Sequence, residues 1–247
     1  MQRSRRIASI VVVASVVVAG LGACGFQPDL AARVGGAQTI TEDRVQQIWD
    51  ESHEAVLKTK PAEQASAEPV RVPYSRGDLV RAMVSRDLYG RLAATKGVPL
   101  PTGVAYDRAG AQLGLPGSDE YVHLYADTLL LQNALAAAVT NPPAPTEAEV
   151  RDVFDRIAAN GGIQPGTDFA QFSSMLSAQD RTSLGAALAV RRDVLALADQ
   201  VGIEINPRYQ PFELTLLGVT NQSTGQAYSV VGAVLGEDMR VPVVDLS

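Results

Sequence analysis

The chain has 247 residues, 46% of them hydrophobic, with 21 basic and 27 acidic side chains and a formal charge of −6. The acid excess argues against a nucleic-acid binder held by phosphate contacts, and the single cysteine excludes an internal disulfide. With no such staple available, the fold must rest on a packed core, in one domain or two intimate ones.

Met1–Arg6 carries Arg3, Arg5 and Arg6 and no acid; Ile7–Gly20 is an apolar run broken only by Ser9 and Ser15. A basic start, a short apolar stretch and a small-residue exit describe a secretory signal, its arginines held at the cytoplasmic surface. The exit, Leu21-Gly22-Ala23-Cys24, resembles the lipobox of bacterial lipoproteins. That resemblance implies that signal peptidase II recognises Leu21, Gly22 and Ala23. It also implies diacylglycerol on the Cys24 sulfur and a mature chain that begins at Cys24. The protein is then expected on the outer face of the cell membrane, anchored through that lipid, and the lone thiol of an exported chain is accounted for.

Two other readings stay open: an uncleaved transmembrane anchor, and an ordinary signal peptide with Cys24 near the cut by chance. Ser4-Arg5-Arg6 is followed by Ile-Ala-Ser-Ile, a poor fit to a twin-arginine signal, which favours general secretion. Residues 1–23 hold three of the basic residues and no acid, so the mature chain of 224 residues carries −9. That charge also argues against a second, polybasic membrane anchor.

Residues 24–30 form a tether. Ala31–Gly35 reads as a short strand, and Ile40-Thr41 leads into a helix over about 42–58, capped by Thr41 with Glu42 and Asp43 at its positive end. Val45, Ile48, Trp49, Ser52 and Val56 make one stripe. Lys60–Tyr74, with Pro61, Pro69 and Pro73, is a linker or an irregular excursion. Ser75, with Asp78 three residues on, opens a second helix that Gly97 ends. Its buried face is Leu79, Val80, Met83, Val84, Leu88 and Leu92. A short helix is possible near Val104–Leu113. A longer one, Ser118 to about Thr140, is apolar enough around its circumference to predict a central position.

Asn141–Pro145 is a stiff break, and Thr146 with Glu149 has the spacing of a capping box. That helix shows Val150, Val153, Phe154 and Ile157 on one face and stops at Asn160-Gly161-Gly162. Asp168–Ser177 and Ala178–Val201 read as two helices or one bent helix. Past Gly202 the period changes. Ile203-Glu204-Ile205 alternates, Asn206–Tyr209 turns the chain, and Leu214–Val219, Tyr228–Val231 and Arg240–Val244 are β-like.

Ala31-Ala32-Arg33-Val34-Gly35 and Ile40-Thr41-Glu42-Asp43 resemble the opening of the SurA-type N-terminal chaperone domain, related to the peptide-binding region of trigger factor. Thr146-Glu147-Ala148-Glu149-Val150 is similar to a later helix start of that family. Ile203–Tyr209 is similar to its returning strand in lipoprotein members, with Gln210 where Gly is usual. The likeness spans residues 31–217 through three short blocks. It implies a mainly α, SurA N-terminal-like domain over 31–217 whose first strand pairs with the returning one and joins the chain ends. An extended, β-like segment follows over 218–247. Family members often carry a parvulin prolyl isomerase domain as well. Here Thr146–Val201 reads as helices and leaves no place for one, so the resemblance is to a member that lacks it.

No catalytic constellation stands out. His53 and His123 lie on separate helices without partners at ligand spacing, so no metal and no cofactor is expected. No Gly-x-Ser-x-Gly and no phosphate-binding glycine loop is present. Asn206–Tyr209 reads as a turn first and a recognition element second, and Trp49 and Met83 suit either a core or a groove. The resemblance implies non-catalytic, chaperone-like binding of unfolded or exported polypeptides. A residual peptidyl-prolyl isomerase and a structural adaptor for one envelope protein are the alternatives.

Overall fold

A computed structural model describes residues 29–36, 38–59, 71–100, 102–221, 224–225 and 227–236. Cys24, the tripeptide before it, the prolines at 61 and 69 and the β-like stretch 240–244 lie outside the described residues. The fold is mainly helical, with two small antiparallel sheets.

β1 (Leu30–Val34) is the middle strand of a three-stranded sheet, between β2 (Gln38–Thr41) and β3 (Ile203–Ile205). Its neighbours meet it antiparallel, Ala32 facing Ile40 on one side and Ile205 on the other. A strand enclosed in this way has room for small side chains, and Ala31, Ala32 and Val34 are fully buried. Thus the first strand does pair with the returning one, and Arg33 adds an ion pair to Glu204 at 2.8 Å. Ile40-Thr41, expected only as a lead-in to a helix, belongs to a strand of its own, Gln38–Thr41.

α1 (Glu42–Thr59) buries Val45, Ile48, Ser52 and Val56 of the expected stripe and leaves Trp49 half-buried. Buried Ser52 is satisfied twice: its hydroxyl donates to the Ile48 carbonyl at 3.1 Å and pairs with the Tyr74 hydroxyl at 2.6 Å. α2 (Arg76–Lys96) opens on the Ser75/Asp78 capping box and closes on Gly97 in the left-handed region, φ 66°. α3 (Tyr106–Leu113) is short, and α4 (Glu120–Ala137) starts from an Asp119 cap.

The central position expected for the 118–140 helix belongs to α2 instead. Leu79, Val80, Val84, Leu88 and Tyr89 are buried round much of its circumference, against α1, α4, β1 and elements later in the chain. On α4, Tyr125 and Leu129 remain 36% and 42% exposed. Apolar composition measured how much of α4 can be buried, whereas the number of neighbours decides how much is.

α5 (Glu147–Ala159) has the Thr146/Glu149 capping box, and the cap amide and hydroxyl hold the Glu149 carboxyl below its ordinary value. α6 (Phe169–Met175) and α7 (Ala178–Val201) are two helices, because Leu176 is extended and Ser177 with Asp180 caps anew. α7 lies so close to the Pro142-Pro143 segment that a Cβ on Gly185 would stand 2.4 Å from the Pro143 carbonyl oxygen. Gly185→Ala is therefore expected to destabilise the fold by about 1–2 kcal/mol. The backbone clash outweighs the roughly 1 kcal/mol gained in helix propensity. A thermal melt that rises would contradict this packing.

After β3, a single 3-10 turn (Pro207–Tyr209) leads to the hairpin of β4 (Phe212–Thr220) and β5 (Ala227–Leu235). The extended segment expected from 218 is thus, as far as Leu235, the second half of a hairpin that begins before that residue. Phe212, Leu214 and Leu216 alternate inward, and β5 buries Val230, Val231, Ala233 and Leu235 in the same core. Gly232 leaves space for the Glu213 side chain to cross the hairpin and accept from Arg156 of α5 at 2.6 Å.

Candidate functional site

Where β3 returns beside β1, the chain builds an open cleft of about 680 Å³. Its floor and walls come from three distant stretches: Trp49 on α1, Tyr74 to Arg81 at the start of α2, and Arg208 to Pro211 after β3.

Asn206 organises this junction. It is 3% exposed, and its amide donates to the Leu30 carbonyl at 2.7 Å and to Glu42 Oε1 at 3.3 Å. Its side-chain oxygen accepts from the Arg208 amide at 3.1 Å, and its backbone amide donates to the Ala31 carbonyl at 2.9 Å. The proline that follows fixes φ, so the chain leaves the sheet in a tight turn that presents Arg208 and Tyr209. Glu42 is the complementary centre: Tyr209 donates its hydroxyl to Oε2 at 2.8 Å, and Arg208 approaches the same oxygen at 3.2 Å.

On the opposite wall the Arg76 guanidinium lies 4.7 Å from the centre of the Trp49 ring and donates to Gln46 Oε1 at 2.6 Å. His53 stacks on the far side of the same sequence neighbourhood, its ring 5.5 Å from that of Trp49. Arg81 pairs with Asp78 and stands 6.0 Å from the Phe212 ring. Burial alone would raise the Asp78 carboxyl; the Ser75 amide and hydroxyl together with Arg81 reverse this and hold it below its ordinary value. Tyr74 stacks on Tyr121 of α4 with ring centres 3.6 Å apart, fixing the back of the cleft.

Two cleft tyrosines give a pH signature. Burial raises Tyr74 to about 12, opposed by its hydrogen bond to Ser52 and helped by the nearby carboxylates of Asp119, Glu120 and Glu51. Burial, then the hydrogen bond to Glu42, raises Tyr209 to about 12. The folded chain keeps these protons above the ordinary value of 10.0, where the unfolded chain releases them. Their contribution to stability is therefore complete below that value and lost as pH climbs toward 12. Ultraviolet absorbance should show part of the tyrosinate appearing only with alkaline unfolding. Tyr209→Phe should make stability less sensitive to pH in that window. Complete tyrosine titration at the ordinary value in the still-folded protein would contradict it.

A second cleft of about 570 Å³ is lined by residues of α2 and α4 together with Leu100, Val104 and Tyr106, with Leu100 64% exposed. Its charges are already matched: Arg86 to Asp127 at 2.9 Å and Arg91 to Asp87 at 2.7 Å. Tyr106 donates to Asp127 at 2.9 Å and stacks on His123, which bonds to the Gly117 carbonyl at 2.9 Å.

The two histidines thus stand apart, one in each neighbourhood. Among the described residues no group of three His, Cys, Asp or Glu is arranged to hold a metal ion, and no helix is long and apolar enough to cross a membrane. Met83 packs against the core, while Trp49 packs against it and also lines the first cleft. Arg76, Arg81 and Tyr74 were not singled out from the sequence. The one hint there was the dense run Tyr74–Arg81 immediately after a proline-rich stretch. No family model, curated protein or solved structure matches the chain.

Proposed function

We propose that this is a lipid-tethered, extracytoplasmic polypeptide-binding module, chaperone-like and non-catalytic, with a SurA N-terminal-like fold. The observation that carries the reading is the cleft at the strand junction. It is open and lined by half-buried Trp49 and exposed Pro211, with the buried rings of Tyr74 and Tyr209 beneath and three arginines in its lining. An indole supplies large contact area at low entropic cost, and an open cleft that joins it to a proline ring and polar side chains accommodates varied segments. The antiparallel return of β3 onto β1 and the capped start of α5 support the fold assignment. The Leu21-Gly22-Ala23-Cys24 segment supports the tether, which would hold the cleft near newly exported chains and raise its effective concentration there.

Trp49 is the only tryptophan, so its fluorescence reports on the cleft. A permanently unfolded client titrated onto the full-length protein should shift that emission saturably, and stoichiometric protein should suppress aggregation of a denatured client. An unchanged emission with no protection would sink the binding role. The tether has its own check: intact-mass analysis of protein taken from its native membrane should find the mature chain with diacylglycerol on Cys24, and a bare thiol would remove it.

A further inference from the structure

We propose that the junction cleft selects acidic–apolar polypeptide segments, in which a carboxylate side chain stands beside an aromatic or branched aliphatic one. The inference rests on the polypeptide-binding reading and adds the chemistry of the client.

The argument begins with where the charges are committed. The cleft lining contains three arginines and no carboxylate among the described residues. The acids behind it are already engaged. Glu42 is held by Asn206, Tyr209 and Arg208, and Asp78 by the Ser75 cap and Arg81. Asp50 accepts the Gln46 amide at 2.7 Å, which leaves the Gln46 carbonyl oxygen to Arg76.

Arg76 itself meets a neutral amide and an indole face, and it makes no ion pair among the described residues. A guanidinium has five N–H donors in a planar fork suited to a carboxylate, so Arg76 retains most of its capacity. Arg208, with a single carboxylate contact and a side chain 57% exposed, stands at the same cleft.

The apolar half of the preference comes from the same wall. The half-buried Trp49 indole beneath Arg76 and the exposed ring of Pro211 line the same cleft, so one segment can place an apolar side chain against them while its neighbour meets the guanidinium. A wholly apolar segment would cover Arg76 without replacing the water it loses, and a lysine would meet like charge. The mature chain as a whole is negative at −9, and of the cleft arginines Arg81 and Arg208 are paired with Asp78 and Glu42, so the guanidinium of Arg76 is a local exception and not part of a general basic character. That net charge disfavours a nucleic acid in the cleft, because the long polyanion would meet repulsion beyond it.

The test uses the full-length protein in detergent and three short unstructured peptides, identical apart from Glu, Gln or Lys beside a Phe-Val pair. Calorimetry reads affinity, and Trp49 emission reports entry to the cleft. The Glu peptide is expected to bind about ten-fold more tightly than the Gln peptide, the size of one charge-assisted bidentate contact, with the Lys peptide weakest. Arg76 is exposed, so Arg76→Gln should fold normally by circular dichroism. It should bring the Glu and Gln peptides to the same affinity, the Glu peptide losing about ten-fold more than the Gln peptide. Arg76→Lys should recover only part of the difference. Equal affinity for all three peptides, with Trp49 still responding, would overturn the charge preference and leave the binding role standing. Failure of every peptide to bind, together with no response to an unfolded client, would remove both. Displacement of the Glu peptide by inorganic phosphate at equal concentration would also overturn the proposal, since the site would then be a simple anion site.

Discussion

Phe212→Ala is expected to lower folding stability by about 3–5 kcal/mol, the range for emptying a buried aromatic site. Phe212 is fully buried at the start of β4, and its amide donates to Gln210 Oε1 at 3.1 Å. It therefore stands where the core ends and the cleft wall begins. Removing the ring withdraws contacts from the hairpin and the support beneath Arg81, whose guanidinium lies 6.0 Å from it. Chemical denaturation followed by circular dichroism measures the loss, and Phe212→Leu should cost far less, about 1 kcal/mol, because most of the volume stays. A loss below about 1 kcal/mol for the alanine variant would mean that the site collapses freely and that β4 does not begin in a rigid core. If the cleft binds polypeptides as proposed, that binding should weaken along with stability, because Gln210 and Pro211 line the cleft immediately before this residue.

Asn206→Ala is expected to cost about 2–3 kcal/mol, through a different mechanism. Little apolar area is lost. Instead the Leu30 carbonyl and the Glu42 carboxylate each lose a donor, and the Arg208 amide loses its acceptor. An orphaned buried polar group costs more than the bond contributed when made, because its water is not returned. Asn206→Asp should be at least as harmful, since it brings a second carboxylate against Glu42. The effects of Asn206→Ala and Glu42→Gln should fall short of additive in a double-mutant cycle, because both act on the same contact. Strict additivity would show that the two side chains are energetically separate despite their 3.3 Å approach.

Much of the helical frame was legible because its signals are local. A serine or threonine three residues before an acid satisfies the first free amides of a helix wherever it occurs, and Ser75/Asp78 and Thr146/Glu149 both do so. The same spacing at Ser177/Asp180 went unread, which left two helices or one bent helix both open over 168–201, where the new cap makes them two. The stripe through Val45, Ile48, Ser52 and Val56 was equally local. β2 was hidden because four residues carry too little alternation, and its existence depends on β1 lying alongside. The cleft was the least legible part. Trp49 and Asn206–Tyr209 were noticed separately, but nothing in either segment announces the other or the arginines of α2. They meet because β3 pairs with β1, which is a property of the whole chain.

The pairing of Arg33 with Glu204 spans 171 positions, and it sets an order of events. A polypeptide made from its N-terminus presents β1 early with β2 beside it and leaves the other edge unsatisfied. Glu42 waits likewise for Asn206, Arg208 and Tyr209. Local helices close quickly, whereas so long a loop closes late and at an entropic cost that no nearby contact offsets. Until residue 209 has emerged, the helices can condense but the clasp is missing, and an open strand edge invites partners from other chains. Assembly of the junction cleft is thus timed by one of the last stretches to arrive, and premature termination anywhere before it leaves a body without its fastening.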